Sequence, residues 1–116
     1  MRYHKIMEHD DLYGAKDRTL DELRTAVATV LNITFEAHES LYLGGDYFRS
    51  RGPAGEHLEI LRNDSGFEED GEDEDNLIEP DFSDYSVLLR VNSTKRGDEL
   101  KDRLAAVPGL VFLGRR

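Results

Sequence analysis

The sequence predicts an α+β fold, and three observations predict it. Two segments carry apolar residues at helical spacing, each with a single apolar stripe. Four or five others alternate apolar and polar residues with period two, the mark of a half-buried strand. Glycine-rich turns separate the strands. The expectation is the order α-β-β-β-β-α-β, with a four- to five-stranded, mostly antiparallel sheet and both helices on one face. The outer face then stays wet. All 116 residues belong to one domain, because two would leave neither half with an adequate core.

Residues 1–18 lack periodicity and read as an irregular lead-in holding His4, His9, Asp10, Asp11 and Asp17. Helix 1 then starts at a capping box, Thr19-Leu20-Asp21-Glu22. Leu20, Leu23, Val27, Val30 and Leu31 follow at helical spacing, and Asn32 is a terminator. Residues 33–43 read as a strand. Gly44-Gly45 reads as a two-residue hairpin turn, because such turns need positive φ. Residues 46–51 return, with Tyr42 opposite Tyr47 and Leu41 opposite Phe48. Alternation then puts Phe35, Ala37, Leu41, Leu43 and Phe48 on the core face. Glu36, His38, Ser40, Tyr42, Tyr47, Arg49 and Arg51 fall on the other.

Gly52-Pro53-Ala54-Gly55 is a second turn, and residues 57–62 form the third strand. Leu58 and Ile60 reach the Phe48 side only if the loop holds an odd number of residues, most simply five. That register sets Arg49 opposite Glu59. Residues 63–84 read as a long, mobile loop, since its dense carboxylates repel each other and bury nothing. Phe67, Leu77, Ile78 and Phe82 are available to pin its ends. Residues 85–92 form a fourth strand with Tyr85, Val87, Leu89 and Val91 on one side. Ser93 or Thr94 caps helix 2, residues 96–106, with Leu100, Leu104 and Val107 inward. Pro108-Gly109 ends it, and residues 110–113 make a short final strand.

Composition narrows the function. The absence of cysteine excludes a disulfide framework, a thiol nucleophile and cysteine-built zinc sites. The N-terminal residues form no apolar run, and no stretch approaches the roughly 20 apolar residues of a membrane span. The expectation is a cytoplasmic protein. With 25 acidic and 15 basic residues, the formal charge is −10. Phosphate backbones and anionic lipids repel such a chain, so neither nucleic acid nor membrane is an expected partner. A basic protein is attracted.

Motifs for catalysis are absent from the sequence. There is no Gly-x-Ser-x-Gly elbow, and no glycine-rich phosphate cradle precedes a helix. His38 and Ser40 share a strand face but have no oxyanion donors beside them. Glu68 to Asp75 lacks the ligand order of a calcium loop. Lys95-Arg96-Gly97 precedes helix 2, where an anion could sit, although ordinary surface charge is the stronger explanation. No metal site, cofactor or catalytic residue is expected.

Two binding features remain. Glu68, Glu69, Asp70, Glu72, Asp73, Glu74 and Asp75 form a candidate electrostatic lure for a basic protein. Tyr42, Tyr47 and Arg49 form a candidate interface patch, since Tyr and Arg are favoured anchors. A solubilising insertion and an ordinary cross-strand tyrosine pair account for the same residues without a partner.

The run Glu39-Ser40-Leu41-Tyr42-Leu43-Gly44-Gly45-Asp46-Tyr47-Phe48, followed by Glu59-Ile60-Leu61-Arg62-Asn63, resembles small bacterial immunity-like proteins encoded beside polymorphic or contact-dependent toxins. So does Tyr85-Ser86-Val87-Leu88-Leu89-Arg90-Val91 leading into helix 2 and a Gly-Leu-x-x-Leu strand. The resemblance covers about residues 19–114 and points to no single family. It implies a noncatalytic acidic protein that binds and neutralises a cognate basic toxin. The competing expectations are a self-associating structural or regulatory module, pairing through residues 110–113 as a homodimer, and a divalent-metal-dependent enzyme.

Overall fold

The computed structural model describes residues 8–40, 45–64 and 77–116. Its elements are β1 (His9–Ala15), α1 (Leu20–Leu31), β2 (Glu36–Ser40), β3 (Gly45–Arg51), β4 (His57–Arg62), β5 (Val87–Thr94), α2 (Gly97–Leu104) and β6 (Leu110–Arg115). The six strands form one antiparallel sheet in the order β2-β3-β4-β5-β1-β6. The α+β class holds, and residues of both helices share one apolar core with one sheet face. The strand count and order differ from expectation because the presumed lead-in supplies β1, an interior strand.

Strand β1 was hidden by its charge. Its His-Asp-Asp start breaks the period-two pattern, yet Asp11 is 2% exposed. Asp11 turns inward with Tyr13 and Ala15, and Arg115 on neighbouring β6 neutralises it. Strand β6 is correspondingly longer than expected. Its extension carries Arg115 to Asp11, and paired backbone bonds join Arg116 to Asp10 just beyond it.

Helix α1 follows its sequence signals closely. The Glu22 N–H donates to the Thr19 hydroxyl at 3.1 Å, and the Thr19 N–H donates to the Glu22 carboxylate at 2.8 Å. Asn32 ends the helix in the left-handed region, φ 55°. Leu20, Leu23, Val27 and Leu31 are buried. Helix α2 is shorter than expected, and Arg96 rather than Ser93 or Thr94 occupies its N-cap position, with no side-chain cap bond. Thr94 has another use: its hydroxyl accepts from the Arg96 N–H and donates to Glu56. Leu100, Leu104 and Val107 point into the core as expected.

The link from β3 to β4 has the expected five residues, 52–56, with Ala54 and Gly55 at positive φ. Phe48 lies opposite Ile60 and Arg49 opposite Glu59, so Leu58 and Ile60 enter the core. The β2–β3 hairpin is different. Ser40 pairs with Gly45 and His38 with Tyr47, which displaces the expected register by four residues. Gly45, expected in the turn, is instead a paired strand residue, and Gly44 lies outside the described residues. The shift is even, so the side of each described residue is unchanged.

The second sheet face is not uniformly wet. Leu12, Leu61 and Leu88 form a smaller cluster there, covered by Ile78, Phe82 and Tyr85 from the segment crossing to β5. Tyr85 thus lies opposite its expected side, because β5 begins two residues later at Val87. The crossing needs Gly14 beneath it. A Cβ at residue 14 would stand 2.7 Å from Tyr85 Cγ and 2.8 Å from Leu113 Cδ1.

Candidate functional site

Charge falls into two populations. The first is internal. Arg115 grips Asp11 with two bonds, 2.8 and 3.1 Å, and reaches Asp98 at 3.0 Å. Gly97 admits this pair against the start of α2, where a Cβ would meet both Arg115 and Asp11 within 3 Å. Glu56 folds back over Gly52 and accepts from Thr94 at 2.7 Å and Arg96 at 2.8 and 3.1 Å. Burial pushes the Glu56 carboxyl up, but the Arg96 and Thr94 hydrogen bonds, with the Arg96 charge, hold it below the usual range. Arg96, drawn into this pair, is accounted for without an anion at the helix start.

Glu79 closes the third clamp. Arg116 donates at 2.6 and 3.1 Å and Arg90 at 3.4 Å. The Arg116 hydrogen bonds lower the Glu79 carboxyl against the opposing effect of burial. Buried Asn63 completes the junction. Its amide donates to the carbonyls of Glu79, Phe82 and Tyr85, and its oxygen accepts from the Glu79 N–H at 2.7 Å. Asn63 and Glu79 therefore hold the two ends of the intervening stretch together.

The second population lies on the sheet face away from the helices. Register aligns Glu36, Arg49, Glu59 and Arg90 in one row across β2, β3, β4 and β5, with alternating charge. Beside it run Arg51, His57 and Asn92. On the other side His38 stacks on Tyr47, ring centroids 5.5 Å apart and 25° between planes. The carboxylates of the row are engaged elsewhere. Glu59 accepts from Asn92, and Glu36 lies 3.6 Å from His38. Arg49 is thus flanked by anions yet bonded to neither, and its buried Nε has no acceptor.

Tyr47 and Arg49 come together on this face. Tyr42 and the acidic residues Glu68, Glu69, Asp70, Glu72, Asp73, Glu74 and Asp75 lie outside the described residues. The expected Tyr42–Tyr47 pair is replaced by His38–Tyr47, a consequence of the shifted hairpin. Tyr47 also rests against the smaller apolar cluster, so part of its ring is structural. Strand alternation already placed Glu36, His38 and Arg51 beside Tyr47 and Arg49. Glu59 follows from the loop parity. What the sequence does not signal is that Arg49 has no ion-pair partner among the described residues.

Among the described residues, no group of three or more His, Asp or Glu side chains is placed to hold a metal ion. No helix among them is long and apolar enough to cross a membrane. No protein-family model matches the chain, and no curated protein matches it.

Proposed function

We propose that the chain is a noncatalytic, acidic protein-binding module, an immunity protein that neutralises a cognate basic toxin. The observation that carries this reading is the division of charge. Four arginines, Arg90, Arg96, Arg115 and Arg116, serve three buried carboxylates, Asp11, Glu56 and Glu79. These pairs take up nearly equal numbers of positive and negative charges, so the formal −10 rests on the remaining residues. An acidic surface steers a basic partner and competes with phosphate for its cleft. Seven of the 25 acidic residues lie at positions 68–75, within the stretch between Asn63 and Glu79. They supply the steering, while Tyr47, Arg49 and the rest of that sheet face, with Tyr42, supply specificity.

The test is co-expression with the C-terminal domain of a toxin encoded beside this chain. Growth is restored by the chain, and the two proteins co-purify. Replacing the seven carboxylates at 68–75 by Asn and Gln slows association and flattens its salt dependence. Unchanged kinetics reject the steering role, and absence of protection by the intact chain rejects the immunity reading.

One observation favours a second reading, self-association. Strand β6 is a sheet edge, and Val111 on it is 42% exposed. Such an edge can pair with another copy. Light scattering separates a dimer, which supports this reading, from a monomer, which removes it.

A further inference from the structure

We propose that a groove at the start of β2 is an oxyanion-binding site, taking a carboxylate or a phosphate group. The groove encloses about 380 Å³ and is lined by Ile33, Thr34, Glu36, His38, Arg49, Ser50 and Arg51. It opens where the β2–β3 ladder stops. Glu36 is the first residue of β2 and pairs with Arg49, so Ser50 and Arg51 extend past the last rung.

Three features define the ligand. First, Arg49 and Arg51 stand on one strand face, roughly 6–7 Å apart along it. Among the described residues neither joins an ion pair, and the buried Arg49 Nε–H lacks an acceptor. A buried donor without a partner costs stability, and an incoming oxygen removes that cost. Second, Thr34 lines the groove and offers a neutral hydroxyl donor, while the Ser50 side chain alternates to the core face with Phe48. Third, the one carboxylate in the groove, Glu36, leans toward His38 instead of closing on Arg49. Forked guanidinium donors match carboxylate and phosphate oxygens in pairs. Arg49 is shared with the face assigned to the toxin, yet anion binding is read on the chain alone and stands or falls without that partner.

The experiment titrates the isotope-labelled full chain with inorganic phosphate and, separately, with acetate, at constant ionic strength held by sodium chloride. Saturable NMR shifts are expected at the Thr34, Ser50 and Arg51 amides and at the Arg49 Nε–H. The anion that saturates at lower concentration identifies the source. Arg49→Gln and Arg51→Gln each weaken binding about tenfold, the loss of a charge-assisted pair. Glu36→Gln tightens it by removing the opposing charge. Arg62→Gln, at the far end of β4, leaves it unchanged. The spectra themselves report whether each variant is folded. Shifts that rise linearly with either anion, or an Arg62→Gln loss equal to that of Arg49→Gln, overturn the proposal.

Discussion

The two ends of the sheet use arginine in opposite ways. At the β5-β1-β6 end, Arg90, Arg115 and Arg116 are locked to buried carboxylates, and the strands between them are largely buried. At the β2–β3 end, Arg49 and Arg51 are unpaired among the described residues, and no residue of β2 is fully buried. The same side chain is a rivet at one end and an open donor at the other. The difference arises from where a carboxylate is buried. A buried carboxylate is costly without a guanidinium beside it, and Asp11 and Glu79 each have one, whereas Glu36 and Glu59 bond elsewhere.

Breaking a rivet has the largest expected effect. Arg115→Ala leaves Asp11 buried without its partner and lowers stability by about 3–5 kcal/mol in denaturant unfolding. Gly14→Ala follows, at about 1–3 kcal/mol, because its new methyl meets Tyr85 and Leu113 and cannot be accommodated without displacing the crossing segment.

The pH dependence tests the same end more gently. Glu56 and Glu79 are held below their ordinary pKa in the folded protein. Between the folded and unfolded values the unfolded chain binds more protons, so stability rises with pH. Their contribution is complete above about pH 4.3, the free glutamate value, and is lost as pH falls through the folded values. Glu56→Gln should flatten part of the acid limb in a series of thermal melts. At the other end, Arg51→Gln should change stability by less than about 0.5 kcal/mol in the same unfolding assay, and Arg49→Gln, which removes an unpartnered buried donor, should not lower it.

Local signals carried much of the architecture. The capping box of α1 needs only Thr19 and Glu22, three residues apart, and both of its bonds form. Loop parity set Arg49 opposite Glu59, because Leu58 and Ile60 had to face the core. The misses all depend on distant partners. Nothing near Asp11 marks it as buried, since Arg115 lies 104 residues away. Gly44-Gly45 suits a tight turn locally, but Gly45 pairs with Ser40 as a strand residue. Tyr85 continued the alternation of β5, yet its ring fills the space that Gly14 leaves. For the candidate site, alternation gave its face, while the unpaired state of Arg49 emerged only once its neighbours' own partners were placed.

Hydrogen exchange of the native protein tests the central claim, that a riveted end supports an open one. Amides of β1 and β5 should exchange only with global unfolding, and those of β2 with much lower protection, through local opening. In Arg115→Ala the β1 protection should fall while that of β2 stays the same. Equal protection of β1 and β2 in the unaltered protein would contradict the account.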